Sequence, residues 1–206
     1  MNRGSTYGEL QWVHSKEVAF CSAPFIGSKR YPLTDQVTSV AEDVRIRKAT
    51  FRDLAVLVRH RRAMWQAIKT FPRNVLDDGD AVYRRWLGKR LRSREVVAFV
   101  AETKDHVSIG SGAAFLREND PFPGGTSAIP HIISMFTEKE WRGRGVATAI
   151  LKELIAWSRL KGFSGVTLTP APMARPLYRR AGFKRGWQMV MPFKGVVTPK
   201  RRFRRS

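Results

Sequence analysis

The sequence predicts an α/β fold of the α+β kind, with antiparallel strands packed against amphipathic helices. Two β-rich runs, 96–102 and 106–116, are divided only by Thr103, Lys104 and Asp105, a hairpin signature. Apolar residues recur at helical spacing on both sides of that hairpin, at Leu54, Leu57, Val58 and Met64 and again from Val146 to Trp157. A third β-rich run, 131–137, leads into a glycine loop that opens the second of these helices. With 206 residues, and about 150 per domain as a prior, one domain with appendages is expected.

Residues 1–43 mix Gly, Ser and Thr with scattered aromatics and hold neither period for long, so they read as a poorly ordered N-terminal extension. At 44–49, Val44, Ile46 and Lys48 alternate with Arg45, Arg47 and Ala49 as a short strand, and Thr50 caps a helix beginning near Arg52. Pro72, Asn74, Asp77, Asp78 and Gly79 read as a separating loop. A second helix is expected over 80–91, with Val82, Trp86 and Leu87 on one side and mostly arginine on the other. After the hairpin, 117–130 holds three prolines and two adjacent glycines, an irregular loop long enough to border a site. Then come the strand at 131–137 and a helix over 145–161, ended by Lys161 and Gly162. A buried strand carries Val166 and Leu168, a short helix covers 173–181, and a last strand covers 187–193. The domain is thus placed at 44–193, with a basic tail at 194–206.

The 38 Lys and Arg against 17 Asp and Glu give +21. Residues 1–43 hold slightly more acid than base, so the excess lies in the domain and in the tail, where Lys194, Lys200, Arg201, Arg202, Arg204 and Arg205 meet no acid. A domain this basic suits polyanions: phosphorylated cofactors, nucleic acid or acidic surfaces. No run approaches the roughly 18 apolar residues a membrane helix needs, and the N-terminus has no signal-peptide core. The single Cys21 excludes an internal disulfide and a cysteine-rich zinc site. The expectation is a soluble cytoplasmic protein with no membrane partner and no metal.

The stretch Arg142-Gly143-Arg144-Gly145-Val146-Ala147, between strand and helix, reads as a phosphate cradle. Glycines let backbone N–H groups approach oxygen closely, the helix start points its positive end at the same place, and Arg142 and Arg144 add charge. It lacks the Gly-Lys-Ser/Thr of a triphosphate loop and the spacing of a dinucleotide fingerprint.

Arg142, Gly145 and Ala147 instead stand where the Gln/Arg-x-x-Gly-x-Gly/Ala motif of the GCN5-related N-acetyltransferase (GNAT) family places them. The run 134–141 ahead resembles that family's fourth strand and its exit. Downstream, Leu177-Tyr178-Arg179-Arg180-Ala181-Gly182-Phe183 resembles its Leu-Tyr-x-x-x-Gly-Phe signature. With the element order of 44–116, the resemblance covers about 150 residues. It implies a mixed, mostly antiparallel sheet splayed between strands 4 and 5, flanked by helices on both faces, with acetyl-CoA in the gap. It departs at Ala171, where many members carry asparagine.

The resemblance further implies pantetheine paired to the strand backbone at Phe136 and Thr137, and pyrophosphate on the amides of Gly143, Arg144, Gly145, Val146 and Ala147. A backbone N–H near Met135 or Phe136 would stabilise the oxyanion formed on amine attack. Tyr178 matches the tyrosine that protonates the departing thiolate, against the alternative of a packed ring. Glu138 and Glu140, at the strand exit, are base candidates, with solvated loop charge as the plain alternative. His131 is the other base candidate. The first two helices and 117–130 would form the acceptor pocket, with Trp65 and Met64 as apolar walls. The implied activity is acetyl transfer from acetyl-CoA to a primary amine of a small molecule or protein, by direct attack in a ternary complex. Polycationic aminoglycosides would be repelled by the charge, and an acceptor with its own negative groups suits it better. The alternative is a catalytically weak module that binds RNA or another polyanion through its basic surface and tail. A homodimer is left open.

Overall fold

A computed structural model describes residues 43–118 and 128–186. Five strands form one open sheet in the order β1-β2-β3-β4-β5: β1 Val44–Lys48, β2 Val96–Thr103, β3 Ser108–Glu118, β4 Ala128–Thr137 and β5 Thr167–Leu168. The first four pair antiparallel, and β5 runs parallel to β4. Helices α1 Leu54–Ile68 and α2 Arg73–Arg92 precede β2, α3 Val146–Leu160 follows β4, and α4 Arg175–Arg180 follows β5.

Residues 96–102 of β2 are buried on both faces, and their period-two alternation divides them between two cores. Val97, Phe99 and Ala101 join Val146, Ile150, Leu151 and Leu154 of α3 and Tyr178 of α4. Val96, Ala98 and Val100 join Leu57 and Val58 of α1 and Tyr83 and Leu87 of α2.

Helix α1 starts where Thr50 predicts. Its hydroxyl accepts from Arg52 N at 3.3 Å, and Asp53 accepts from Thr50 N at 2.7 Å, a capping box leading through one 3₁₀ turn into α1. Arg47 clamps the same carboxylate at 2.8 and 2.9 Å and holds Glu102 of β2 at 2.6 Å. Arg47 hydrogen bonds hold both carboxyls below the usual carboxylate range.

Helix α2 corrects the expected loop at 72–79. It begins at Arg73, with Pro72 as N-cap, because Leu76 is buried and because Arg62 of α1 binds Asp77 and Asp80, each at 2.7 Å. Those tertiary pairs hold a helical turn whose Gly79 alone costs about 1 kcal/mol relative to Ala. The buried face is consequently Leu76, Tyr83 and Leu87, while Val82 is exposed. β4 begins three residues before the expected 131. The expected helix at 173–181 divides into a 3₁₀ turn, Pro172–Ala174, and the short α4. The expectations for 1–42, for a strand at 187–193 and for the tail lie outside the described residues.

Between β3 and β4 the register shifts: Ser111 pairs Phe136 but Ala113 pairs Ile133, leaving one extra residue in β4. Ser134 absorbs it at φ 54°, a left-handed conformation that costs a non-glycine residue about 1–2 kcal/mol. Gly112, opposite the bulge, is required by close approach, since a Cβ there would overlap Met135 Sδ and lie 2.9 Å from Ile150 Cγ2. Among the described residues no helix is long and apolar enough to cross a membrane.

Candidate functional site

β5 pairs with β4 at only two positions, His131↔Thr167 and Ile132↔Leu168. From Ile133 to Thr137 the β4 edge therefore has no strand partner on that side among the described residues. The parting opens into a cleft of about 1480 Å³, bordered by α1 and α2 at one end and by the start of α3 and by α4 at the other.

At the α3 end, Arg142 Nε donates to Thr137 O at 3.1 Å and ties the glycine loop to the end of β4. Gly143 and Gly145 adopt φ 77° and 78°, left-handed values that glycine accepts without strain. Helix α3 starts with no acidic residue and no side-chain cap in its first turn, so its leading N–H groups remain available to an external acceptor. The Val146 side chain is buried in the core, so that residue offers the cleft its backbone. Thr137 Oγ1 is buried without a hydrogen-bond partner among the described residues. Arg144 stacks over Trp141 at 5.1 Å.

Midway, Tyr178 lines the cleft with its ring edge-on to Phe183 at 5.8 Å. Burial raises its pKa, so the phenol stays protonated at neutral pH. Its oxygen makes no hydrogen bond among the described residues. His131 Nδ1 lies 2.9 Å from Thr167 Oγ1, which donates to Pro130 O at 3.5 Å. In the tautomer whose Nδ1–H donates to Thr167, Nε2 keeps its lone pair. Burial first, and the Arg117 charge second, lower the His131 pKa.

At the α1/α2 end the walls are aromatic. Trp65 and Met64 line the cleft, Tyr83 and Trp86 stack at 5.7 Å, and Phe115 stands edge-on to Trp86 at 5.7 Å and to His131 at 5.6 Å. The Tyr83 hydroxyl lies 3.3 Å from Ser134 Oγ, joining this wall to the β4 bulge.

The model of the Acetyltransferase (GNAT) family matches residues 59–183, more than half of the chain. The chain belongs to the GNAT acetyltransferase family. A GNAT protein of Ralstonia eutropha JMP134 superposes with a TM-score of 0.67 at 23% identity, covering 74% of this chain and 99% of its own. A protein of Clostridium acetobutylicum described as a predicted acetyltransferase, solved with acetyl-CoA, superposes at 0.65 with 24% identity, covering 72% and 96%. These likenesses carry the fold. A curated relative, glucosamine 6-phosphate N-acetyltransferase of Trypanosoma brucei brucei, is 32% identical over 73 residues, 35% of this chain. The match spans half the length of that relative.

Within this GNAT domain the cleft brings together Trp65, Met135, Phe136, Thr137, Arg142, Gly143, Gly145, Val146, Ala147 and Tyr178. Arg144, Glu138 and Glu140 do not line it. Glu140 is exposed in the 3₁₀ turn after β4. Glu138 Oε1 sits outside, 3.9 Å from Arg59 and 3.7 Å from His60 Nε2. His60 is fully buried, with Nδ1 2.9 Å from Ser111 Oγ and its ring 5.1 Å from Phe136. Burial, then the Arg59 charge, push its pKa down to about 4, so at neutral pH the approach of Glu138 is not an ion pair.

Arg61, Tyr83 and Ser134 are among the lining residues that escaped the sequence reading. Arg61 is hidden in a run of arginines, although its i,i+4 spacing to Trp65 is a stacking signal. Tyr83 carries an i,i+3 signal to Trp86. The Ser134 bulge arises from strand register and leaves no local mark.

Proposed function

We propose that the chain transfers an acetyl group from acetyl-CoA to a primary amine by direct attack within a ternary complex. The observation that carries this reading is the parted β4 edge, which opens onto both the glycine loop and helix start at Gly143, Gly145, Val146 and Ala147 and the Tyr178 phenol. The residues fit a coenzyme A thioester. Pyrophosphate oxygens suit the free amides at the start of α3, pantetheine amides suit the unpaired β4 backbone, and Thr137 Oγ1 is a buried hydroxyl in need of a partner.

The amine nitrogen attacks the thioester carbonyl, a C–N bond forms, and the C–S bond breaks. A β4 backbone N–H near Met135 or Phe136 stabilises the oxyanion, a contribution typically of about 3–4 kcal/mol. Tyr178 donates its proton to the leaving thiolate, which suits a phenol held protonated by burial. His131, neutral at pH 7 with its Nε2 lone pair free, accepts the ammonium proton through water. Glu138 and Glu140, which stand outside the cleft lining, are the alternatives.

Calorimetric titration with acetyl-CoA tests the reading, wild type against Gly145→Asp. The variant puts a side chain and a negative charge into the cradle at a left-handed position. Micromolar binding to the wild type and its loss in a folded variant are expected. No binding to folded wild type refutes the reading.

A further inference from the structure

The acceptor end of the cleft contains a cation that has no ion-pair partner among the described residues. Arg61 is half-buried on the inner side of α1, its Cζ 4.2 Å from the Tyr83 ring centroid and 5.7 Å from that of Trp65. Among the described residues no carboxylate lies within ion-pair distance of it and no hydrogen bond engages it. Its neighbours differ: Arg59 lies near Glu138, and Arg62 binds Asp77 and Asp80. The contact with the Tyr83 ring restrains the guanidinium while leaving its N–H groups without a hydrogen-bond partner among the described residues, which suits a fork for a planar oxyanion. Tyr83, on which Arg61 rests, reaches the β4 bulge through Ser134. A group held by Arg61 is thereby placed relative to the strand beside which the thioester lies.

The surrounding wall suits the rest of such a molecule. Trp65, Trp86 and Phe115 line this end of the cleft, and their apolar aromatic surface suits an aryl ring or the C–H face of a sugar. Asp78, a carboxylate on the α2 side of the same cleft, has no ion pair among the described residues and offers nothing to an anion. Arg61 is thus the cation among these groups that can receive one.

We propose that Arg61 is the receptor for an oxyanion, a carboxylate or a phosphate, borne by the amine acceptor, whose flat apolar face stacks on the aromatic wall. This rests on the acetyl-transfer reading above. It makes the substrate an anionic amine and gives the basic charge of the domain a local purpose.

Two acceptor pairs that differ in the anion alone test it by thiol release: phenylalanine against 2-phenylethylamine, and glucosamine 6-phosphate against glucosamine. In the wild type the anionic member of at least one pair is favoured in kcat/KM by about tenfold to a hundredfold, as expected for a charged hydrogen bond. The pair that shows it tells carboxylate from phosphate. Arg61→Gln abolishes the preference, and Arg61→Lys, which keeps the charge but loses the fork, restores part of it. Quenching of tryptophan fluorescence by 3-phenylpropionate, compared with 3-phenylpropanol, reads the same preference without turnover. Ratios near one in both pairs and in quenching overturn the proposal, as does a preference that survives in Arg61→Gln. Failure of acetyl-CoA to bind is a separate result: it overturns the transferase reading, and the fluorescence comparison still decides the role of Arg61.

Discussion

Replacing Gly112 with alanine tests how closely β3, β4 and α3 are fitted beneath the cleft. The new methyl group would overlap Met135 Sδ and stand 2.9 Å from Ile150 Cγ2 and 3.3 Å from Leu154 Cδ1, where ordinary carbon contacts lie at about 3.5–4.0 Å. Met135 can swing its thioether away, because it borders the cleft. Ile150 and Leu154 are fully buried and cannot. Overpacking of this kind costs about 1–3 kcal/mol, and restricting the unfolded chain by Gly→Ala returns about 0.4–1 kcal/mol. The net loss is about 1–2 kcal/mol, which at about 2–4 °C per kcal/mol for a chain of this size lowers Tm by about 2–8 °C. Gly79→Ala is the internal control. It sits within α2, a Cβ there meets nothing within 4 Å, and the same chain-entropy argument raises Tm by about 1–4 °C. Thermal unfolding followed by near-UV circular dichroism measures both. A Gly112→Ala protein as stable as the wild type would mean that Met135 and Ile150 do not close over β3, and the derivation of the bulge geometry would fail with it. Because Met135 borders the cleft, the variant should also weaken acetyl-CoA binding, whereas Gly79→Ala should not.

Tyr178→Phe should lower kcat by about 10²–10⁴-fold, the usual share of a general acid, with the calorimetric Kd for acetyl-CoA unchanged; an unaltered kcat would remove Tyr178 from the chemistry. His131→Asn should lower kcat/KM comparably and abolish an acid limb lying below pH 6.5, the side to which burial moves this ring; if Glu138→Gln abolishes that limb instead, the glutamate is the base. Acid should destabilise the fold in two stages. Between about pH 6.5 and 4 the unfolded chain protonates at His60 while the folded chain, held to about 4, does not, so stability falls as pH falls. His60→Phe combined with Ser111→Ala should flatten that part of a urea-midpoint profile. Asp53 and Glu102 have depressed folded pKa values, so the stability they contribute is present above their unfolded pKa and is lost as pH falls through the folded one. Arg47→Met should flatten only this lower stage, and a profile independent of Arg47 would contradict the ion-pair account.

What could be read from the sequence was whatever depends on neighbours along the chain. The hairpin around Thr103 and Lys104, the Thr50 cap and the strand, glycine loop and helix of 131–161 are all local signals, and each element is present. The start of α2 was illegible because its stability comes from Arg62, which is remote in sequence and on another helix. The same holds at the site. The glycine loop and the Leu-Tyr segment announce themselves by motif, so the α3 and α4 walls of the cleft were anticipated. The acceptor wall depends on which arginine of a crowded run turns inward and which tyrosine lies beneath it, and the fold decides that. Ser134 is the clearest case, since its backbone conformation follows from a one-residue mismatch between two strands.

The two-pair ladder between β4 and β5 also bears on how the molecule opens. The segment from α3 to α4 is held to the four antiparallel strands chiefly by the apolar face of α3, with little sheet hydrogen bonding across the parting. Its amides at β5 and α4 should therefore exchange with solvent through a partial opening of lower free energy than those of β2 and β3. In the proposed binding mode a thioester lodged along β4 would contact both units at once and act as the missing strand. Donor binding and cohesion of the two halves would then be one thermodynamic event, and exchange protection at Thr167, Leu168 and Tyr178 should report occupancy of the cleft.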